Sequence, residues 1–79
     1  MMIMVEKLIK FYEKEYEETE NLIICEDIPT WVKPKEVVYN TLYMLLGASQ
    51  FAQTIGVSYD EINGIYEIYK EKLLELLDN

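Results

Sequence analysis

Two pairs of carboxylates are spaced for chemistry. Glu17 and Glu20 stand three residues apart, and so do Glu75 and Asp78. Residues three apart on a helix share a face. Such pairs are the chain's best route to catalysis. Other routes to catalysis are thin. The chain has no His, and its seven basic residues are all Lys. It therefore lacks the commonest general base and the planar fork that grips phosphate. Cys25 is followed by Glu26 and Asp27, whose charge disfavours a thiolate; a small buried residue is expected there, not a nucleophile. No Gly-rich phosphate loop is present. The expectation is a chain that is not an enzyme, uses no cofactor and holds no metal unless the carboxylate pairs converge.

The two pairs resemble the Glu-x-x-Glu and Glu-x-x-Asp pairs of MazG-like nucleotide pyrophosphohydrolases, which hold Mg²⁺ on helices. That resemblance implies a metal-dependent nucleotide hydrolase with Glu17, Glu20, Glu75 and Asp78 as ligands. The same first pair also belongs to a larger cluster. Between Glu13 and Asp27 lie seven carboxylates and one Lys, a net −6 out of −8 for the whole chain. Such a charge repels phosphate backbones and anionic lipid, so neither direct nucleic-acid binding nor membrane binding is expected. It favours basic surfaces, including those that normally hold nucleic acid. The cluster flanks an apolar stretch containing Trp31, a residue type enriched at interface hot spots. Glu13, Glu17, Glu18, Glu20, Glu26, Asp27 and Trp31 are thus the candidate partner-binding residues.

The elements that must position these residues are helical. Val5, Leu8, Ile9, Tyr12, Tyr16 and Thr19 recur at helical spacing, predicting a helix over 3–20. Its last turn is expected to fray, because Glu residues crowd the negative end of the helix dipole. A connector follows over 21–33, bounded by Pro29 and Pro34. Leu22, Ile23, Ile24, Ile28 and Trp31 are its expected buried anchors. Pro34 suits the first turn of a new helix, predicted over 34–55 and apolar nearly all round. Ser58 and Glu61 read as a capping box opening a helix over 58–77, whose Tyr59, Ile62, Tyr66, Tyr69, Leu73 and Leu76 alternate by three and four. The fold class is all-α: one three-helix domain over 1–79, a helical hairpin of residues 34–77 plus an N-terminal helix.

The stretch Gln53–Ile62 sits between the second and third segments. Ala52, Gly56, Val57, Ser58 and Ile62 stand where a helix-turn-helix carries small, turning and apolar residues, and the resemblance implies a DNA-reading recognition helix. Asp60 and Glu61 would then occupy its contact positions, where they oppose phosphate. A plain corner uses the same residues, with Gly56 in a left-handed conformation. A single rod from Pro34 to Leu77 keeps the three-four alternation through Gly56.

Val37 to Tyr59 carries no charge, and 51% of this 79-residue chain is hydrophobic. So short a chain has little interior in which to hide such surface, and a homodimer or larger assembly is expected. Gly47, Ala48 and Ala52, with Tyr59 and Tyr66, are the candidate interface residues. Asn40, Thr41, Ser49, Gln50 and Gln53 interrupt the uncharged run and argue against a membrane span. A single cysteine fits a reducing cytosol, hence a cytoplasmic protein. Three functions follow. The first is a non-enzymatic acidic interaction protein that binds and inhibits, or recruits, a macromolecule with a basic surface. In size, acidity and composition the chain resembles the small accessory proteins of phages and mobile elements, including anti-defence and DNA-mimic proteins. The second is a small helix-turn-helix regulator. The third is an oligomeric sponge for a small ligand such as a nucleotide, with pockets lined by Tyr.

Overall fold

The computed structural model describes residues 2–25 and 28–78. Three helices, α1 (Met2–Ile24), α2 (Pro34–Thr54) and α3 (Tyr59–Glu75), make up the described fold, and each touches both others. The all-α class is therefore as the sequence predicts. Among the described residues, no helix is long and apolar enough to cross a membrane.

The first helix corrects two expectations. It continues to Ile24, so residues 21–24 are helix and not connector. Nor does its acidic end unwind. The Cys25 N–H closes the last turn on the Asn21 carbonyl at 2.9 Å, and Ile23 packs against the core. Half-burying an Ile contributes roughly 1 kcal/mol, comparable to the penalty of one misplaced charge at a helix end. Tyr16 also donates a hydrogen bond to the Glu20 carboxylate at 3.2 Å. The buried face of α1 is Leu8, Tyr12 and Thr19, all three of them in the predicted pattern.

Lys33 enters α2 with extended backbone, φ −89° and ψ 146°, as the residue before a proline must. Val38, Thr41, Leu42, Leu45, Ser49 and Ala52 form the buried stripe of α2. Its polar members meet α1. Tyr12 donates to the Leu45 carbonyl at 3.1 Å and also bonds Ser49. Two turns along, Thr19 bonds Thr41 at 2.6 Å. These two rungs fix the antiparallel register of α1 on α2, since a slip by one residue would orphan buried hydroxyls. Among the described residues no buried side-chain polar atom lacks a partner.

The corner after α2 is a Schellman turn. Gly56 has φ 104°, a conformation that suits glycine. Its N–H bonds the Gln53 carbonyl at 3.1 Å, and the Val57 N–H bonds the Ala52 carbonyl at 3.0 Å. Val57 and Ala52 are both buried, which supplies the hydrophobic contact typical of this motif. The single-rod alternative is thereby overturned. The expected capping box is not formed either. Ser58 has the extended backbone of an N-cap, but its side chain makes no capping bond; the glycine turn alone sets the entry to α3. Ile62, Tyr69 and Leu73 face the core, while Tyr59 of the predicted seam is exposed.

Candidate functional site

The acidic residues of α1 divide between its two flanks. Glu13, Glu17 and Glu20 border α3, where they line a shallow recess with Tyr16, Tyr69 and Lys72. Glu18 lies on the other flank, beside Asn21, Leu22 and Cys25. Glu13, Glu17 and Glu18 are exposed and Glu20 is half-buried. Glu26 and Asp27 lie outside the described residues. Cys25, expected to be buried, is exposed: it stands at the end of α1, beyond the point where the helix leaves the core.

The recess against α3 is organised by aromatic rings. Tyr16 and Tyr69 meet edge to face at 6.4 Å. The Lys72 ammonium lies 5.6 Å from the first ring and 5.1 Å from the second, within cation–π range. Both phenols are held above the ordinary tyrosine pKa. Burial is the main cause for Tyr16, followed by its hydrogen bond to Glu20 and the fields of Glu20 and Glu75. For Tyr69 burial again leads, followed by Glu13 and Glu17. Three of the four paired carboxylates, Glu17, Glu20 and Glu75, therefore act in one neighbourhood, but a lysine stands inside it. Among the described residues no three His, Cys, Asp or Glu side chains converge to hold a metal ion.

Trp31 is 81% exposed, against the expectation that it anchors the connector. The reason is local. The Val32 N–H bonds the Pro29 carbonyl at 2.9 Å, which makes residues 29–32 a turn with Trp31 at its tip. Ile28 and Val32, on either side, are half-buried and share a cleft of about 400 Å³ with Ile23, Leu76 and Leu77. The connector is held down by its aliphatic residues and lifts its indole into solvent. Leu22 and Ile24, also expected to be buried, are exposed on the last turn of α1.

The residues proposed for self-association separate. Ala52 is buried in the core, Ala48 packs against it, and Tyr66 is partly buried beside it. These three belong to the contact between helices of one chain. Gly47 and Tyr59 are exposed. Tyr59 and Tyr66 share a groove between α2 and α3 of about 210 Å³. Sequence reasoning did not single out the exposed aromatic face of α2, Tyr43 and Phe51, although the absence of charge around them was a visible signal. Comparison of the chain with protein-family models, with curated proteins and with solved structures returned no match.

Proposed function

We propose that this chain is a non-enzymatic acidic interaction protein that docks onto a macromolecule with a basic surface. It blocks or recruits that partner, in the manner of the small accessory proteins of phages and mobile elements. The observation that carries this reading is Trp31 on its turn, exposed beside the end of an acidic helix. A solvated acidic face alone needs no partner, but a large exposed indole on a braced turn gains by being covered. Carboxylates steer the approach of a basic surface, and the indole supplies apolar area once the two have met. The helix-turn-helix reading gains no comparable support, because the first turn of α3 presents Asp60 and Glu61.

Parallel captures from cell lysate test this, with the native chain, Trp31→Ala and a Glu17→Gln, Glu18→Gln, Glu20→Gln triple variant as baits. A basic protein retained by the native chain and depleted at least about tenfold on both variants is expected. The triple variant should slow association, with a difference that shrinks as salt rises. Trp31→Ala should speed dissociation at every salt concentration. Identical retention by all three baits would end the docking proposal.

A further inference from the structure

The solvent side of α2 is an apolar face with no partner among the described residues. Tyr43 is 70% exposed, Phe51 64% and Met44 48%, and between them lies Gly47. A Cβ at Gly47 would meet nothing within 4 Å. Packing inside the monomer therefore gives no reason for a residue that weakens the middle of a helix. Gly64 on α3 is equally open, but its neighbours on that face include Asp60, Glu61 and Glu67. Around Gly47 there is no charge from Val37 to Tyr59.

The pattern around Gly47 reads alike in both directions. Tyr43 and Phe51 lie four residues to either side, and Asn40 and Thr54 lie seven. We propose that α2 pairs with α2 of a second copy of this chain, antiparallel, about a two-fold axis at Gly47. An isologous interface requires that one surface complement itself, and this face does. At 1.5 Å of rise per residue the two aromatics sit about 6 Å above and below the glycine. Antiparallel pairing then sets Tyr43 beside Phe51 of the second copy, twice, and the absence of a side chain at position 47 lets the backbones approach. Two copies repel each other overall, and this face is where that repulsion is least. Each copy carries a net −8, and this face brings no carboxylates together between Val37 and Tyr59. It also offers nothing to attract a basic partner. Area is adequate too. With about 150–250 Å² for each large side chain, the exposed parts of Tyr43, Met44 and Phe51 amount to roughly 350 Å² per copy, and the exposed Asn40, Gln50 and Thr54 around Gly47 bring the face to about 500 Å². A pair then buries about 1,000 Å², near the lower bound for a specific interface. Because α1 packs on the opposite, buried side of α2, the acidic face stays free.

Sedimentation equilibrium of the full chain over about 1–100 µM, a range that spans moderate affinities, tests the pairing. The native chain should be a dimer at the upper end, and Gly64→Leu should match it. Gly47→Leu, Tyr43→Glu and Phe51→Glu should each weaken the dimer by about tenfold or more with unchanged helical circular dichroism. Tyr43→Glu combined with Phe51→Lys should recover it, since the pairing joins position 43 of one copy to 51 of the other. A native chain that is monomeric throughout would leave the face to a different occupant and overturn the inference. So would a dimer that survives both glutamate substitutions. Failure of the charge-swapped double variant to recover would overturn the antiparallel register.

Discussion

The Thr41 hydroxyl donates its proton to the Val37 carbonyl at 3.1 Å, so the buried bond between the two threonines is donated by Thr19. The two substitutions to valine are then unequal. Thr19→Val removes one bond and leaves Thr41 satisfied, a loss of about 0.5–1.5 kcal/mol. Thr41→Val leaves the Thr19 hydroxyl without its acceptor on a residue only 3% exposed, which costs about 1–3 kcal/mol. The double variant should be less destabilised than Thr41→Val alone, because it leaves no stranded donor. Urea denaturation of the three variants measures this, and equal losses for the two single variants would contradict the assigned direction. Residue-scale detail of this kind was only partly legible. Thr19 stood on the helical stripe of α1, so its burial could be read; its pairing with Thr41 depends on a register that no local pattern specifies. For Trp31 the sequence supported both a buried anchor and an exposed one. The choice is made by the turn at Pro29–Val32, whose orientation follows from which aliphatic neighbours reach the cleft beside Leu76 and Leu77.

Elements whose ends are set by local backbone chemistry were the readable ones. Gly56 needs a positive φ, Val57 and Ala52 supply the contact that seals the turn, and all three lie within one six-residue stretch. Pro34 likewise marks the start of α2 by what it forbids in Lys33. The end of α1 was misread because it is decided elsewhere in the molecule, by the core that covers Ile23. The capping box at Ser58 was misread for the opposite reason: the local signature was present, but the glycine turn made it unnecessary. This contrast predicts opposite effects for two glycines. Gly56→Ala forces an L side chain into a left-handed conformation and should destabilise the chain by about 1–2 kcal/mol. Gly64→Ala puts a methyl into open space on a helix and should stabilise it by roughly 0.5–1 kcal/mol. Thermal denaturation monitored by circular dichroism compares them; a tolerated Gly56→Ala would mean that the corner does not depend on the left-handed turn.

At the scale of the molecule, three helices around one small core could be read from periodicity, because each helix buries a single stripe. The surface was harder to read. Sequence shows that α2 is uncharged on every side from Val37 onward, but not which side meets the core. That depends on Tyr12 and Thr19 reaching Ser49 and Thr41. The same core ties stability to alkaline pH. Tyr12 is fully buried, and its phenol is held above the ordinary value of 10.0. Burial raises it most, its bond to Ser49 lowers it, and the field of Tyr66 raises it further. Tyr16 and Tyr69 are shifted in the same direction. A folded pKa above the unfolded one means that the unfolded chain releases its protons first. These groups therefore contribute their full stability below pH 10 and lose it as pH rises from 10 through the folded values. Each phenolate formed also adds negative charge to a chain already at net −8, and the self-repulsion acts in the same direction. Tyr12→Phe separates the two causes. At neutral pH it should cost about 1 kcal/mol, for the lost hydrogen bonds. Above pH 10 its stability should fall less steeply than that of the native chain, by up to one proton in the linkage slope. Urea midpoints followed from pH 7 to pH 12, with phenolate absorbance recorded alongside, measure both effects. Parallel curves for the two proteins above pH 10 would show that charge repulsion, and not the buried phenol, drives alkaline unfolding.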